Sequence, residues 1–155
     1  MSIKSLKRDA VFEFLRPDQV DALSDAARLV RFKPGDIIYQ KGERARNIYI
    51  VLNGQVTLRL PGEGGVNIMI DELTQGDIFG SCVSFSLDSY VLTAQSSGDC
   101  ELLCVQASVL KELLEEDPRM GYAIQSRISE IYFRRYVEAM NKLQAIVMNI
   151  PLRYN

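Results

Sequence analysis

The sequence contains no histidine, and this absence excludes several kinds of chemistry. Without histidine there can be no Ser-His-Asp triad, no Cys-His dyad, no His-ligated metal site and no histidine ligand to haem. The cysteines Cys82, Cys100 and Cys104 are odd in number and lack CxxC spacing, which argues against a disulfide framework or a zinc site. We expect buried reduced thiols, no metal, no cofactor and no enzymatic activity.

Long apolar runs are also absent. No run reaches the roughly 18 residues that span a bilayer, and charges interrupt the N-terminal MSIKSLKRDAVFEF where a signal peptide needs an apolar stretch. We therefore predict a cytoplasmic protein that does not contact a membrane. The 18 Lys+Arg and 20 Asp+Glu give a net charge of -2, which provides no reason to expect binding to nucleic acid.

Positive charge is missing from the middle of the chain. Residues 60–110 contain neither lysine nor arginine. The same stretch carries seven acidic side chains: Glu63, Asp71, Glu72, Asp77, Asp88, Asp99 and Glu101. Since an anion is bound best where cations are close, this segment is a poor place for a phosphate.

The apolar periodicity changes near residue 31. Residues 18–29 have helical spacing with Asp18 as a candidate cap, which predicts a short amphipathic helix. From Arg31 the period is two, and Pro and Gly residues separate seven or eight short strands, enough for a small sandwich or barrel. Asn53-Gly54 is the strongest hairpin signal because a two-residue turn of that hand needs positive φ.

Helical spacing returns after the strands. A helix of about nine residues is predicted after Ser108, and Pro118 opens a second one that continues through residues 119–149. A helix of roughly 30 residues is about 45 Å long, more than a small barrel covers. We expect part of its apolar stripe to pair with a second copy, although the whole stripe packing on its own barrel is the alternative. The predicted dimer residues are Ile124, Ile128, Ile131, Tyr132, Met140, Leu143 and Val147.

Residues 18–148 resemble the cyclic-nucleotide-binding domain of the catabolite activator and of kinase regulatory subunits. The motifs that carry this resemblance are Phe32-x-Pro34-Gly35-Asp36, Ile48-Tyr49-x-Val51-x-x-Gly54-x-Val56, Leu73-x-x-Gly76-Asp77-x-Phe79-Gly80 and Cys100-Glu101-Leu102. It implies one mainly-β domain, a jelly-roll-like double-stranded β-helix. Its expected parts are an N-terminal helical part (1–30), the β-roll (31–106) and C-terminal helices (107–150) that end in a dimerisation helix.

In that family a cassette after the Phe-Gly step holds the phosphate with helix-end N–H groups, a Glu and an Arg. Here Ser81 stands where the Glu would be, and Tyr90 where the Arg would be. A charged hydrogen bond is worth about 1.5–3 kcal/mol, so loss of the Arg alone should weaken cyclic-nucleotide binding roughly ten- to a hundredfold. The expected pocket residues are Phe79, Gly80, Ser81, Cys82, Val83, Tyr90, Val91 and Leu92.

Two other features offer substitutes for the phosphate site. A thiol at a helix N-terminus can become redox-reactive, so Cys82 is either a sensor or, as we favour, a buried structural residue. From the long helix, Arg135 and Tyr136 are candidates to stack on or pair with a ligand. The alternative that we favour leaves Arg134 and Arg135 facing solvent, with Glu130 and Glu138 four residues from Arg134.

The sequence thus predicts a non-catalytic regulatory domain with a degenerate phosphate cassette that does not bind cyclic AMP tightly. It would act as a homodimer, either through contact with a partner protein or by sensing a ligand other than cyclic AMP. The alternatives are a regulator that holds cyclic nucleotide through unusual contacts, and a small β-barrel enzyme. Family members that read DNA carry a helix-turn-helix after the long helix, and none follows residue 149 here, so direct DNA binding is not expected. Since Pro151 stops the helix in a polar tail, we favour a stand-alone effector domain, and the cut end of a larger regulator is the alternative.

Overall fold

The computed structural model describes residues 16–80 and 88–149. These residues form three α-helices and eight strands. The helices are α1 (Pro17–Ala26), α2 (Ala107–Glu116) and α3 (Pro118–Met148). The strands are β1 (Ala27–Phe32), β2 (Ile37–Tyr39), β3 (Asn47–Asn53), β4 (Val56–Pro61), β5 (Asn67–Leu73), β6 (Ile78–Gly80), β7 (Thr93–Ser96) and β8 (Cys100–Gln106).

The strands form two four-stranded antiparallel sheets, in the orders β1-β8-β3-β6 and β2-β7-β4-β5. Their inner faces enclose one apolar cluster that includes Tyr49, Val51 and Leu102. On the outer face of the first sheet, the alternate residues Ile48 and Ile50 pack with the helices in a second cluster. The central strands of the first sheet, β8 and β3, are therefore buried on both faces, and the predicted jelly-roll-like β-roll with flanking helices is confirmed.

Asn53-Gly54 does not form the predicted hairpin. Strand β3 pairs with β6 and β8, whereas β4 pairs with β5 and β7, so this turn carries the chain from one sheet to the other. The need for glycine is real: Gly54 has φ +90°, and a Cβ there would lie 2.4 Å from the Asp99 carbonyl oxygen. A local turn signal identifies the reversal, but the partner of each strand is set by the packing of both sheets.

The first helix is shorter than predicted. It ends at Ala26, and Ala27 already starts β1, in register with Val105 of β8. The β-roll therefore begins at residue 27 rather than 31. Residues 27–30 suit either periodicity, and pairing with β8 selects the extended conformation. The helix cap is Arg16 rather than Asp18, which lies in the first turn and pairs with the Arg16 guanidinium at 3.2 Å.

The C-terminal helices agree closely with the prediction. Helix α2 begins one residue before Ser108, and α3 opens on Pro118, with the Asp117 side chain accepting a hydrogen bond from the Met120 N–H. Proline suits this position because its missing N–H would have no helical partner. Within the described residues, no helix is both long and apolar enough to cross a membrane.

Candidate functional site

A cavity of about 350 Å³ lies between the β-roll and α3. The structure brings most of the predicted pocket residues together in its wall, namely Phe79, Gly80, Tyr90, Val91 and Leu92, with Arg135 and Tyr136 from α3. The other three predicted pocket residues, Ser81, Cys82 and Val83, lie outside the described residues. Further lining residues that the sequence did not single out for the pocket are Tyr39, Leu58, Ile70, Asp71, Tyr132 and Ala139.

Gly80 closes β6 against β3 at the edge of this cavity. It has φ +110°, and a Cβ at this position would lie 2.6 Å from the Asn47 carbonyl oxygen. Only glycine permits both this backbone conformation and this close approach. The Phe79-Gly80 step is thus held at a defined place, directly beside the cavity.

Tyr90 is buried in the wall of the cavity, and both its ring and its hydroxyl are engaged by other groups. Its ring stacks on that of Tyr39 with centroids 3.7 Å apart and an interplanar angle of 12°. Its hydroxyl donates to the Asn47 carbonyl oxygen and accepts from the Asn47 N–H, both at 3.2 Å. Burial raises the pKa of Tyr90, and it raises the pKa of Tyr39 further. Both side chains are neutral parts of the cavity wall.

Tyr39, Tyr49, Phe79 and Tyr90 form an aromatic group inside the β-roll. The ring centroids of Tyr49 and Phe79 lie 5.3 Å apart, and those of Tyr39 and Phe79 lie 6.1 Å apart. Such rings contribute large apolar contact area and prefer these offset arrangements. The register of β2 shifts between Ile37 and Tyr39, and Ile38 and Tyr39 both pack against the inner cluster, so period-two spacing does not identify Tyr39 as a cavity residue.

The preferred prediction for Arg135 was wrong, because this side chain folds back onto the β-roll. Its Nη2 donates to the Ile78 carbonyl oxygen at 2.6 Å, and its Nε lies 3.3 Å from Oδ2 of Asp71. The guanidinium also lies over the Tyr132 ring, 5.3 Å from its centroid. The side chains of Arg135 and Asp71 are only 14% and 20% exposed. Arg134, by contrast, is exposed as expected.

The described wall of the cavity carries no net charge. Asp71 and Arg135 are the charged residues among its described lining residues, and they pair with each other. The remaining lining side chains are aromatic or aliphatic, apart from the tyrosine hydroxyls. A bound phosphate would have to compete with Asp71 for the guanidinium, at a cost in both desolvation and ion pairing.

The apolar stripe of α3 divides into two parts. Ile124 and Ile128 are buried in the cluster under the first sheet, and Ile131 and Tyr132 pack against it. The prediction that these residues face a second copy was wrong for Ile124 and Ile128, because their own β-roll already covers them. The later residues Met140, Leu143 and Val147 are 42%, 52% and 48% exposed.

The two cysteines within the described residues are buried, as predicted. Cys100 and Cys104 are free thiols on β8, and Cys100 Sγ lies 3.2 Å from the Ser96 hydroxyl. The redox prediction for Cys82 falls on a residue outside the described ranges. Among the described residues, no three His, Cys, Asp or Glu side chains gather into a group that would hold a metal ion.

Similarity to known proteins supports the resemblance noted in the sequence. The family model of the cyclic nucleotide-binding domain matches residues 29–117. Lysophospholipase nte1 of Aspergillus oryzae is 27% identical over 105 residues, which are 68% of this chain and 7% of that protein. The CRP-like cAMP-activated global transcriptional regulator of Mycobacterium tuberculosis is 20% identical over 149 residues, 96% of this chain and 65% of the regulator. The chain thus spans less than two thirds of either relative.

A solved structure has the same fold. The sensor domain of the transcriptional regulator DNR from Pseudomonas aeruginosa superposes with a TM-score of 0.75, covering 98% of this chain and 95% of that one. The two sequences are 19% identical, a level at which the likeness establishes the fold alone.

Proposed function

This chain belongs to the cyclic nucleotide-binding domain family, and from this premise we propose that it is a non-catalytic regulatory domain that binds cyclic AMP only weakly. Its degenerate cassette makes it a sensor of a different ligand or a module for contact with a partner protein. We place it in the cytoplasm as a homodimer. The proposal rests on the side chains of the cavity rather than on fold, since one fold serves many functions.

The conformation of Tyr90 is the observation that carries the proposal. Tyr90 occupies the sequence position of the family's phosphate-binding arginine, and its side chain is committed to Tyr39 and to the Asn47 backbone. A buried neutral ring supplies no charge to a phosphate. Without the charged hydrogen bond, affinity should be roughly ten- to a hundredfold lower than with an arginine.

The cavity suits an uncharged ligand better than a cyclic nucleotide. Its aromatic and aliphatic wall offers apolar contact, and its one ion pair is internally neutral. A ligand there would touch both the β-roll and the long helix, through residues such as Leu58 and Ala139. Occupancy would therefore stabilise the docking of α3, which gives the domain a means of transmitting binding to its surface.

Calorimetric titration with cyclic AMP and cyclic GMP tests this function. The native chain should show no binding at micromolar concentrations, whereas the Tyr90→Arg, Ser81→Glu double variant should bind. Tyr122→Arg is the control for the added arginine, because Tyr122 is 77% exposed on α3 and gains the same positive charge as Tyr90→Arg away from the cavity. Thermal unfolding of each variant establishes that it is folded. Micromolar or tighter binding by the native chain would refute the proposal.

A second candidate function keeps cyclic nucleotide as the ligand, with Arg135 as the phosphate partner. The position of Arg135 in the cavity wall favours it, although the guanidinium would have to leave Asp71. Under this alternative the native chain binds and Arg135→Ala weakens binding at least tenfold. Asp71→Asn should then strengthen it, because the competing carboxylate is removed.

The C-terminal half of α3 supports the dimer proposal. Met140, Leu143 and Val147 recur at spacings of three and four residues, so they share one helix face. Pairing that face with its copy would remove apolar surface from water, worth about 25 cal/mol per Å². This arrangement leaves the cavity-lining part of the helix on its own β-roll.

A further inference from the structure

A second cavity, of about 600 Å³, lies where β1, the segment before β3 and the start of α2 meet. Three arginines line it, Arg28, Arg44 and Arg46. The other lining residues are Ala45, Asn47, Asp88, Gln106, Ala107 and Ser108. None of these residues lines the cavity between the β-roll and α3, so this is a separate place on the molecule.

Among the described residues, the positive charges of this second cavity are only partly offset. None of its three arginines forms an ion pair with any residue in 16–80 or 88–149. Arg31 and Arg135, in contrast, each pair with a carboxylate. Asp88 offsets one of the three charges, which leaves a local excess of two in a chain whose net charge is -2. Like charges held together repel, and a bound anion relieves that repulsion.

Backbone hydrogen bonds fix the positions from which these arginines project. Arg28 lies on β1 opposite Cys104, Arg44 forms an isolated bridge with Ser89, and the Arg46 carbonyl accepts from the Ala107 N–H at 2.9 Å. The three elements therefore bring their charges to one concave surface. The three side chains are exposed, and each guanidinium can donate two parallel hydrogen bonds to a phosphate.

The start of α2 adds donors to the arginine cluster. Ser108 lies in the first turn of this ten-residue helix. Among the described residues no side chain caps this end, and the first turn has no acidic residue. The N–H groups of a first turn have no helical partner and favour an anion. This contribution is secondary to the three arginines, which set the charge of the cavity.

We propose that this arginine cavity binds a small molecule that carries two adjacent phosphate groups. The three arginines project from separate segments around a cavity of about 600 Å³, so two adjacent phosphate groups can contact more of the guanidiniums at once than a single phosphate can. The concave shape suits a small molecule, whereas an acidic protein partner would bury a broader surface. Cyclic AMP, with a single phosphate charge, is not the expected ligand here. The proposal is independent of the function of the first cavity.

Titration calorimetry with inorganic pyrophosphate tests the proposal on the full chain. We expect binding that weakens as the salt concentration rises. Each of the single variants Arg28→Gln, Arg44→Gln and Arg46→Gln should bind pyrophosphate at least tenfold more weakly. Arg31→Gln is the matched control: it removes the same charge from the same strand, outside the arginine cavity, and should bind within about twofold of the native chain. Circular dichroism and thermal midpoints establish that the variants fold.

Several results would overturn the inference. The first is that the native chain does not bind pyrophosphate, and the second is that Arg31→Gln loses as much affinity as the cavity variants. The third is tighter binding of a glutamate-rich peptide than of pyrophosphate, which would indicate a protein-docking surface. Inorganic phosphate is the further comparison, and equal affinity for it would exclude recognition of two adjacent groups. Cyclic AMP binding by Tyr90→Arg, Ser81→Glu should be unchanged when the three arginines are replaced. The two sites can therefore fail separately.

Discussion

The ties of Arg135 to the β-roll predict a measurable coupling between α3 and β5. Arg135 donates to the Ile78 carbonyl and pairs with Asp71, and both side chains of the pair are largely buried. Hydrogen bonds to charged groups contribute about 1.5–3 kcal/mol, and removal of one partner leaves the other charge poorly solvated. Arg135→Met should therefore lower the free energy of unfolding by about 2–3 kcal/mol. Asp71→Asn, which keeps the shape, should cost about 1–2 kcal/mol.

A double-mutant cycle isolates the pair itself. Urea unfolding of the native chain, both single variants and the double variant, at one protein concentration, should give a coupling energy of about 1 kcal/mol. The control is the pair Arg127 and Glu130 on the same helix, with side chains 39% and 70% exposed. Exposed pairs at this spacing contribute about 0.2–0.5 kcal/mol. A coupling for Arg135 and Asp71 no larger than the control value would refute the reasoning.

Three further results are expected. Burial raises the pKa of Tyr90 in the folded protein above the free tyrosine value of about 10. The neutral phenol therefore stabilises the fold below pH 10, and this stability is lost as the pH rises through the folded pKa. Urea unfolding of Tyr90→Phe should show a smaller fall in the free energy of unfolding above pH 10 than the native chain. Gly54→Ala should lower the free energy of unfolding by at least ~2 kcal/mol more than Gly42→Ala, as measured by thermal unfolding. Both glycines have φ +90°, but only a Cβ at Gly54 would meet other atoms within 4 Å. In analytical ultracentrifugation, Leu143→Glu should convert the dimer to a monomer, whereas Tyr122→Glu should leave it a dimer. A native chain that sediments as a monomer would contradict the dimer proposal.

The sequence predicted the elements better than their partners. Pro118 and the unbroken helical spacing after it place the long helix to within a residue, because these signals act within one or two turns. Asn53-Gly54 shows the opposite case: the positive φ of Gly54 is local, but pairing of β3 with β8 depends on residues about a third of the chain away. Local chemistry determines where the chain turns, and packing of the whole β-roll determines what lies beside each strand.

The cavity was predicted in part for the same reason. The motif resemblance identified Phe79, Gly80 and Tyr90 because these residues lie close together in one segment of the sequence. Asp71 and Tyr39 come from other strands, and no spacing rule connects them to Arg135. The preference for a solvent-facing Arg135 followed from helix-surface statistics, which do not include a carboxylate and a carbonyl from the facing sheet.

The position of β1 beside β8 has a consequence for how the protein is made. Ala27 finds its partner Val105 only after the whole β-roll has been synthesised. At about 5–20 residues per second a ribosome needs roughly 4–16 seconds to cover that interval. During that time the first strand has no hydrogen-bonding partner, and closing so long a loop is entropically slow. Assembly of the first sheet should therefore come late, and chains that stop before β8 should be prone to aggregation or degradation.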